Sequence, residues 1–566
     1  MVLTRTARGL LVAGLLLGLG TSVFVATAFA ATDLRGAAGS DQRTVKDGGT
    51  LVLGTREFDS IDPALARPPD TFYPFAYALW PVEDATCALL LRYPAGPPPV
   101  VRYRQVPEVA AALPDVSPDG RTYTFTIRKG YKFSTGAQVK AANYAREMNR
   151  ILSPAMQSPA AEYLKEVVGA TAVRSGKAPT ASGIRAAGHR LIIRLRKRVS
   201  DFPARMTMPY FCPVPTDLPI DAEGVGAPLP GSGPYYIAEF VRGSRVVLER
   251  NRFYRGPRAH HVDRIRVQVG EDSTTTTRKV DAGQEDVALQ TGPTEKNAEL
   301  LARFGVNRRQ LFSIPSMTVF YVVMNTARPL FKDNPKLRQA VNFAIDRTRL
   351  TEANGPLALV GSLTDDYLPA GVPGYVDGHS YPLAHPNLAR ARALARGHTK
   401  SGKAILYMCD NAIPSCVLHA QILQENLKEI RIDAEIKQFP YPVKQRKLAT
   451  RGEPWDLTVE RHDVAYMDPS QYIDLMLDGR TIGATDNTNM AYFHSDRYNL
   501  LIQQAGRLSG SDRYDAYGRL AVDIARTAAP LAAFNVRHDR VFVSSRVGCV
   551  RVAAHNGLDL AGLCLN

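Results

Sequence analysis

The chain has 566 residues, 45% of them hydrophobic and 22% charged, with a formal net charge of +16. This is the composition of a globular protein with room for about three or four domains, and it excludes a disordered or fibrous chain. The basic surplus raises nucleic acid as a partner, but the cations are dispersed. Their densest run, Arg194 to Val199, sits in an alternating strand pattern, so anionic envelope polymers or lipid surfaces are the expected contacts and nucleic acid is not.

Arg5 and Arg8 precede an apolar stretch from Gly9 to Leu19, and Ala28-Phe29-Ala30 supplies a small-x-small cleavage pattern. Residues 1–30 are therefore read as an export signal, with an uncleaved anchor as the competing reading. No cysteine lies near the cleavage site, which disfavours a lipid-modified N-terminus. After a polar linker over 31–47, Gly48 to Ala66 reads as a strand followed by a turn at Asp62-Pro63. Phe72, Tyr73, Tyr77 and Trp80 then cluster as core or as a recognition cleft.

Ser117-Pro118-Asp119-Gly120 is a turn in which Pro fixes one dihedral and Gly permits positive φ. Tyr123, Phe125 and Ile127 alternate with threonines, the pattern of a half-buried strand, and Leu191, Ile193 and Leu195 repeat it. A helix is expected between them, from about Val139 to Leu152. From Gly231 a Gly-Pro turn, a strand, a tight turn at Gly243-Ser244 and a returning strand to Arg250 make a hairpin. Thr274 to Thr277 reads as an exposed helix start or loop.

Phe320 to Met324 is a short apolar run of β-branched and aromatic residues, a strand covered on both faces. A helix follows, with Asn334 at its N-cap, Pro335 at its first position and Leu337, Val341, Ala344 and Ile345 on one apolar face. Arg338 and Asp346 are read as surface or lobe-packing charges. Ala404 to Met408, a helix through Ala420, Leu423, Leu427 and Ile430, and Ile432 to Phe439 imply a right-handed βαβ crossover and a parallel sheet. Trp455 to Val459 adds a strand ending in the loop ERHDVAYMDPSQY. An amphipathic region from Asp512 to Arg526 precedes Pro530 and a β-rich tail.

Six cysteines suit disulfides in an exported protein. Cys409 and Cys416 can close a small loop, Cys549 and Cys564 can staple the tail, and Cys87 and Cys212 are left as a long-range pair, among fifteen pairings that six cysteines allow. A zinc site lacks paired CxxC spacing. No reactive constellation stands out: GxSxG, HExxH, Walker-type and GxGxxG motifs are missing, and Gly231-Ser232-Gly233 reads as a turn. The adjacent His260-His261, and His379 and His385, read as solvated. Asp59 and Asp62 are weighed as paired acids and better explained as turn chemistry. No catalytic residue, metal or cofactor is expected.

Four segments in order, GGTLVLG…DSIDPALA, PDVSPDGRTYTFTIRKGYKFSTGA, GSGPYYIAEF…VVLERNRFY and VMNTARPLF…LRQAVNFAIDR, resemble the family 5 extracellular solute-binding proteins of bacterial ABC importers, the oligopeptide, dipeptide and nickel receptor group. The similarity runs from about Gly48 to Val547. It implies an α/β, two-lobed periplasmic-binding-protein-like fold of the large class, with an extra subdomain, mixed sheets and a hinge between lobes. By that resemblance one lobe comprises 48–79, 205–315 and 530–566 with an extra subdomain at 80–204, and the other spans 316–529. A secreted or envelope-held monomer is implied, which takes a peptide or peptide-like, possibly cationic, small molecule and passes it to ABC permease subunits with their ATPase.

Peptide-binding relatives carry a Trp in the cleft loop and, three residues later, an Asp that holds the peptide α-amino group. Aligning the following Asp-Pro on Asp468-Pro469 puts His462 and Ala465 at those positions, so both depart from the pattern. Asp463 is a substitute anion for a cationic ligand or a structural acid. Arg461, His462, Asp463 and Tyr466 are expected to line the cleft, faced by Tyr73 and the segment from Ala66 through Arg67 to Pro68, with Asp468 capping the loop. Two other classes stay open: an envelope enzyme or biosynthetic accessory protein on the receptor fold, and a basic adhesin.

Overall fold

The computed structural model describes residues 46–56, 58, 60–66, 79–554 and 557–566. The export signal, most of the linker, Asp59, Arg67, Pro68, Phe72, Tyr73 and Tyr77 lie outside the described residues.

The N-terminal third builds β1 (Thr50–Thr55), α1 (Leu79–Thr86), β2 (Asp115–Val116), β3 (Thr122–Thr126), α2 (Ala141–Leu152), β4 (Ile184–Ala187) and β5 (Arg190–Arg194). Strands β2 to β5 form their own antiparallel sheet in the order β2-β3-β5-β4. Alternation decides its two faces: Tyr123, Phe125, Leu191 and Ile193 are buried, while the residues between them face outward. The turn before β3 closes with Gly120 N–H donating to Ser117 O at 2.7 Å, and Gly120 takes φ +69° there.

β6 (Tyr235–Val241), β7 (Arg245–Arg250), β8 (Arg264–Val269), β9 (Val287–Ala288) and β10 (Leu311–Met324) follow. Beyond them come α3 (Pro335–Ala344), β11 (Gly361–Leu363), β12 (Lys403–Cys409), α4 (Pro414–Lys428), β13 (Asp433–Phe439) and α5 (Tyr441–Leu448). The remaining elements used below are β14 (Leu457–His462), α6 (Ser470–Leu477), α7 (Gly510–Asp523) and β15 (Leu531–Val543). One mixed sheet carries β13-β12-β14-β10-β15-β9-β1-β8-β7-β6, with β11 added along β15. The crossover β12-α4-β13 is parallel, in register from Lys403 opposite Asp433 to Cys409 opposite Phe439.

β10 is longer than the apolar run suggests, because β15 pairs with it in two stretches. Leu311–Pro315 lies against His538–Phe542 and Val319–Val323 against Leu531–Val536, with a register shift between Pro315 and Val319. Pro315 has no N–H to donate, so the ladder breaks beside it. Past the break, Tyr321 and Val323 enter one core with Trp455, Tyr472 and Tyr517. Val322 and Met324 enter another with Leu337, Leu423 and Phe534. A third and larger core joins β1, the small sheet, the β6–β7 hairpin and the C-terminal tail.

Three residues of the β10–α3 segment make contacts that its periodicity does not specify. Asn334 stands at the N-cap without capping: its amide donates to Leu330 O at 2.9 Å and His398 O at 2.7 Å, tying two loops together. Of its two readings, surface or packing charge, Arg338 takes the second: it is buried, donating to Ala528 O at 2.6 Å and to Phe331 O. Burial lowers its pKa to about 10. Asp346 caps the next helical turn by accepting from Arg349 N–H at 3.0 Å.

The cysteines pair as Cys87–Cys212, Cys409–Cys416 and Cys549–Cys564, with Cα separations of 5.6, 5.6 and 5.4 Å. Ser232 is fully buried and its hydroxyl accepts from Ala88 N–H at 2.9 Å, so Gly231-Ser232-Gly233 is a packed turn. A Cβ on Gly233 would stand 2.6 Å from Cys87 N. Asp62 accepts from Ala64 N–H at 3.0 Å, the turn chemistry expected of it. Its carboxylate also meets Arg150 Nη2 at 2.6 Å, and Arg150 Nη1 meets Glu147 Oε2 at 2.6 Å, all fully buried.

Candidate binding cleft

β14 ends where the chain leaves the mixed sheet, and the loop from Asp463 to Pro469 follows it into α6. The loop side chains part company. Val464 and Met467 pack in the core with Tyr321 and Trp455, whereas Ala465 and Tyr466 pack in the large core of the N-terminal third. The loop therefore stitches two cores together.

A cavity of about 360 Å³ opens at this loop. Tyr321 and Val323 of β10, Gln445 of α5, Glu460 to Ala465, Leu475 and Met476 of α6 and Met490 line it from one side, and Tyr163 from the other. A smaller space of about 70 Å³ adjoins the β10 break, lined by Trp80, Pro315 to Thr318, Met467 and Asp539. Asp463 and Val464 line both.

Of the residues the sequence singles out, Arg461, His462 and Asp463 line the larger cavity together. Asp463 is not a free anion: Arg461 Nε stands 3.0 Å from its Oδ2, and Thr318 donates to its other oxygen. Residues two apart on a strand share a face, so this pair was legible as i,i+2 spacing at the end of β14. His462 donates from Nε2 to Gln471 O at 2.7 Å and packs on Tyr472. Burial pulls its pKa below the ordinary histidine value, which keeps the ring neutral. Ala465 presents only a methyl group to the cavity. Ala66 packs in the large core and lines neither cavity.

Tyr466 is buried, and its hydroxyl donates to Asp201 Oδ2 at 2.5 Å while accepting from Gln471 Nε2 at 2.8 Å. Arg205 Nε reaches the same carboxylate at 3.2 Å and Glu166 from Nη1 at 3.0 Å. Burial opposes the charge on Asp201, but Arg205 and the Tyr466 hydroxyl hold its pKa below the ordinary value. The Tyr466 phenol is pushed well up by burial and then by Asp201. Asp468 caps the loop by accepting from Ser470 N–H at 2.9 Å, and Arg513 holds both its oxygens at 2.7 Å.

Several cavity residues carry no sequence signal. Gln445 and Glu460 line the larger cavity, with Gln445 donating to Glu460 at 2.8 Å, and Lys444, 1% exposed and outside the lining, pairs with Glu460 and donates to Val459 O at 2.9 Å. Only tertiary contact makes these a set. Tyr321 and Val323 had a signal, since their alternation along β10 puts them on one face.

His538 bridges Ser313 Oγ at 2.8 Å and Ser362 Oγ at 2.9 Å, but no carboxylate orients it, and burial lowers its pKa to about 4. His260 and His261 diverge, the first toward Arg258 O and the second toward Asp47. Asp365, Asp366 and Asp377 lie together; Asp365 and Asp366 accept from backbone N–H groups of Gly378, Ser380 and Tyr381.

Comparison with known proteins gives a consistent frame. The profile of bacterial extracellular solute-binding proteins, family 5 Middle, matches residues 104–484. The probable deoxycholate-binding periplasmic protein YgiS of Escherichia coli K12 is 23% identical over 446 residues, 75% of this chain and 79% of that one. The glutathione-binding protein GsiB of Salmonella choleraesuis is 27% identical over 357 residues, 62% of this chain and 64% of that one. Among solved structures, a clavulanic acid biosynthesis oligopeptide binding protein 2 superposes with a TM-score of 0.80 at 22% identity, over 92% of this chain and 96% of that one. Haemophilus influenzae OppA in complex with RPPGFSPFR gives 0.63 at 18%, over 92% and 99%.

Proposed function

The chain belongs to the bacterial extracellular solute-binding proteins of family 5, and from that premise we propose that it closes two lobes over a compact peptide-like molecule and passes it to an ABC permease. The observation that carries this is the cavity of about 360 Å³ at the end of β14, walled by Tyr163 on one side and by β10, α5 and α6 on the other. That volume sits at the low end of ligand pockets, so the ligand is a short peptide or similar molecule.

The lobes are divided at 316–529, with residues 80–204 as a subdomain of the first. The two chain crossings are β10 and β15, and the break at Pro315 supplies the hinge, two adjacent strand positions absorbing the rotation. Closure is driven by the ligand's better contacts with the closed form.

Arg461 and Asp463 present one cation and one anion at the cavity wall. A zwitterionic or amide-rich ligand can exchange that internal pair for its own. Ala465 cannot hold an α-ammonium, so the ligand is not selected by a free amine there. The protein works as a receptor without catalysis, as a monomer at the outer face of the cell. Among the described residues no helix is long and apolar enough to cross a membrane.

The test is native mass spectrometry of the purified chain, followed by calorimetry with di- and tripeptides. A co-purifying molecule of tripeptide size or smaller, and weaker binding in Arg461→Ala, are expected. Binding of long peptides only, or an Arg461→Ala variant with unchanged affinity, overturns the reading.

A further inference from the structure

The net charge is not spread evenly. Residues 80–204 hold 19 Lys and Arg against nine Asp and Glu, a balance of +10 out of the chain's +16. Burial sharpens the imbalance. Six of those nine acids, Glu83, Asp84, Glu108, Glu147, Glu166 and Asp201, are buried. Most of them answer arginines: Glu147 pairs with buried Arg150, Asp84 and Glu108 with buried Arg258, and Glu166 and Asp201 with half-buried Arg205. What remains at the surface is 16 exposed cations against three exposed acids, Asp115, Asp119 and Glu162.

The sheet β2-β3-β5-β4 gives part of that charge a plane. Arg190 and Arg194 point outward from β5, and Arg185 of β4 lies opposite outward-facing Ile192. Thr126 and Thr122 of β3 stand opposite Arg190 and Arg194 and offer hydroxyls beside them. Arg185, Arg190 and Arg194 pair with no carboxylate among the described residues. Four residues along a strand separate two of these cations by about 13 Å. That exceeds the screening length of about 8 Å at physiological salt, so each cation contributes separately and their contributions add on a charged plane held against them.

We propose that this outward sheet face is a docking surface for an anionic phospholipid bilayer, holding the receptor close to the membrane in which its permease sits. A planar partner is favoured over a linear polyanion because the cations lie on an open sheet, and none of them lines either cavity of the cleft. A polymer strand is better held in a groove. The face is separate from the ligand cavity, so the proposal stands whatever fills that cavity.

The experiment is co-sedimentation of the mature chain with phosphatidylcholine vesicles, with and without phosphatidylglycerol, across a salt series. Binding is expected only with the anionic vesicles, falling as salt rises. The variant Arg185→Gln/Arg190→Gln/Arg194→Gln should bind about a hundredfold more weakly, at roughly fivefold per arginine near such a surface. Its melting temperature should match the parent's, since the three side chains are exposed. A control triple of the same charge change, Lys336→Gln/Arg396→Gln/Arg451→Gln, should bind within a few-fold of the parent. Equal binding to neutral vesicles overturns the proposal. So does an equal loss in both triples, which would reduce the effect to net charge. Binding of soluble polyphosphate without vesicle binding would replace the membrane with a polymer.

Discussion

The Tyr466 hydroxyl is the most informative single group of the loop after β14: it lines neither cavity, contrary to the expectation from sequence, and instead ties the loop to Asp201, 265 positions away in the chain. Tyr466→Phe removes the oxygen and leaves the ring in the large core. Asp201 keeps Arg205 at 3.2 Å, so no buried charge is abandoned and the fold should persist. The bond from Gln471 is lost as well, but it lies within 316–529 and does not depend on closure; what is lost toward Asp201 is one hydrogen bond to a charged group, about 1.5–3 kcal/mol. If residues 80–204 and 316–529 separate on opening, that contact exists only in the closed form. The closed-to-open ratio should then fall about tenfold to a hundredfold, at 1.4 kcal/mol per tenfold. Small-angle scattering of the ligand-free chain reads this as a larger radius of gyration, and hydrogen exchange reads it as faster exchange of the loop from Asp463 to Asp468. An unchanged radius and unchanged exchange, with a lowered melting temperature, would show that the contact only packs the core and would refute its role as a latch.

Ala465→Asp should restore an anion at the cavity wall: the variant is expected to prefer free-amine tripeptides over their N-acetylated forms by calorimetry, while the parent shows no such preference. Arg150→Met strips the partner from Asp62 and Glu147, both fully buried. Urea unfolding should show a loss of about 3–5 kcal/mol, and a loss under 1 kcal/mol would mean that the two carboxyls are already neutral. Burial holds the Asp474 carboxyl up to about 8, against an ordinary value of 3.8, while it accepts from Tyr517. The native state therefore binds the extra proton between those values, so this stabilisation is complete below the lower one and fades as pH rises through the upper one. The parent's thermal midpoint should fall between about pH 6.5 and 8.5, a window above the titration of its buried histidines, and Asp474→Asn should flatten part of that fall; an identical slope would remove Asp474 from the account.

The boundary between legible and illegible runs through individual residues here. Asp62 was legible as a turn former because Ala64 is two positions away; its pairing with Arg150 was not, because Arg150 lies 88 positions further on. The hairpin at Gly243-Ser244 and the crossover through α4 follow from local turn chemistry and periodicity, and the strands come out where alternation puts them. β10 was legible only where it is continuously apolar. Its first half, Leu311 to Met317, has Ser313, Pro315 and Ser316 in it and holds as strand because β15 runs beside it.

The same logic applies to the cleft. Family resemblance pointed to the loop after β14, and Arg461, His462 and Asp463 do line the cavity; the Arg461–Asp463 pair could have been read from their i,i+2 spacing. Glu460, Gln445 and Tyr163 reach the same cavity from separate segments, and nothing local marks them. Within the loop the outer and inner residues divide between two cores: Val464 and Met467 belong to one, Ala465 and Tyr466 to the other. A one-residue insertion before Val464 would move Val464 and Tyr466 into the wrong core and displace the cavity wall together with the Asp201 contact. On the proposed closure, binding and closure would be coupled through four residues of backbone, and a change of ligand would be easier to reach from Tyr163, Gln445 or Met476, which touch the cavity without stitching the cores.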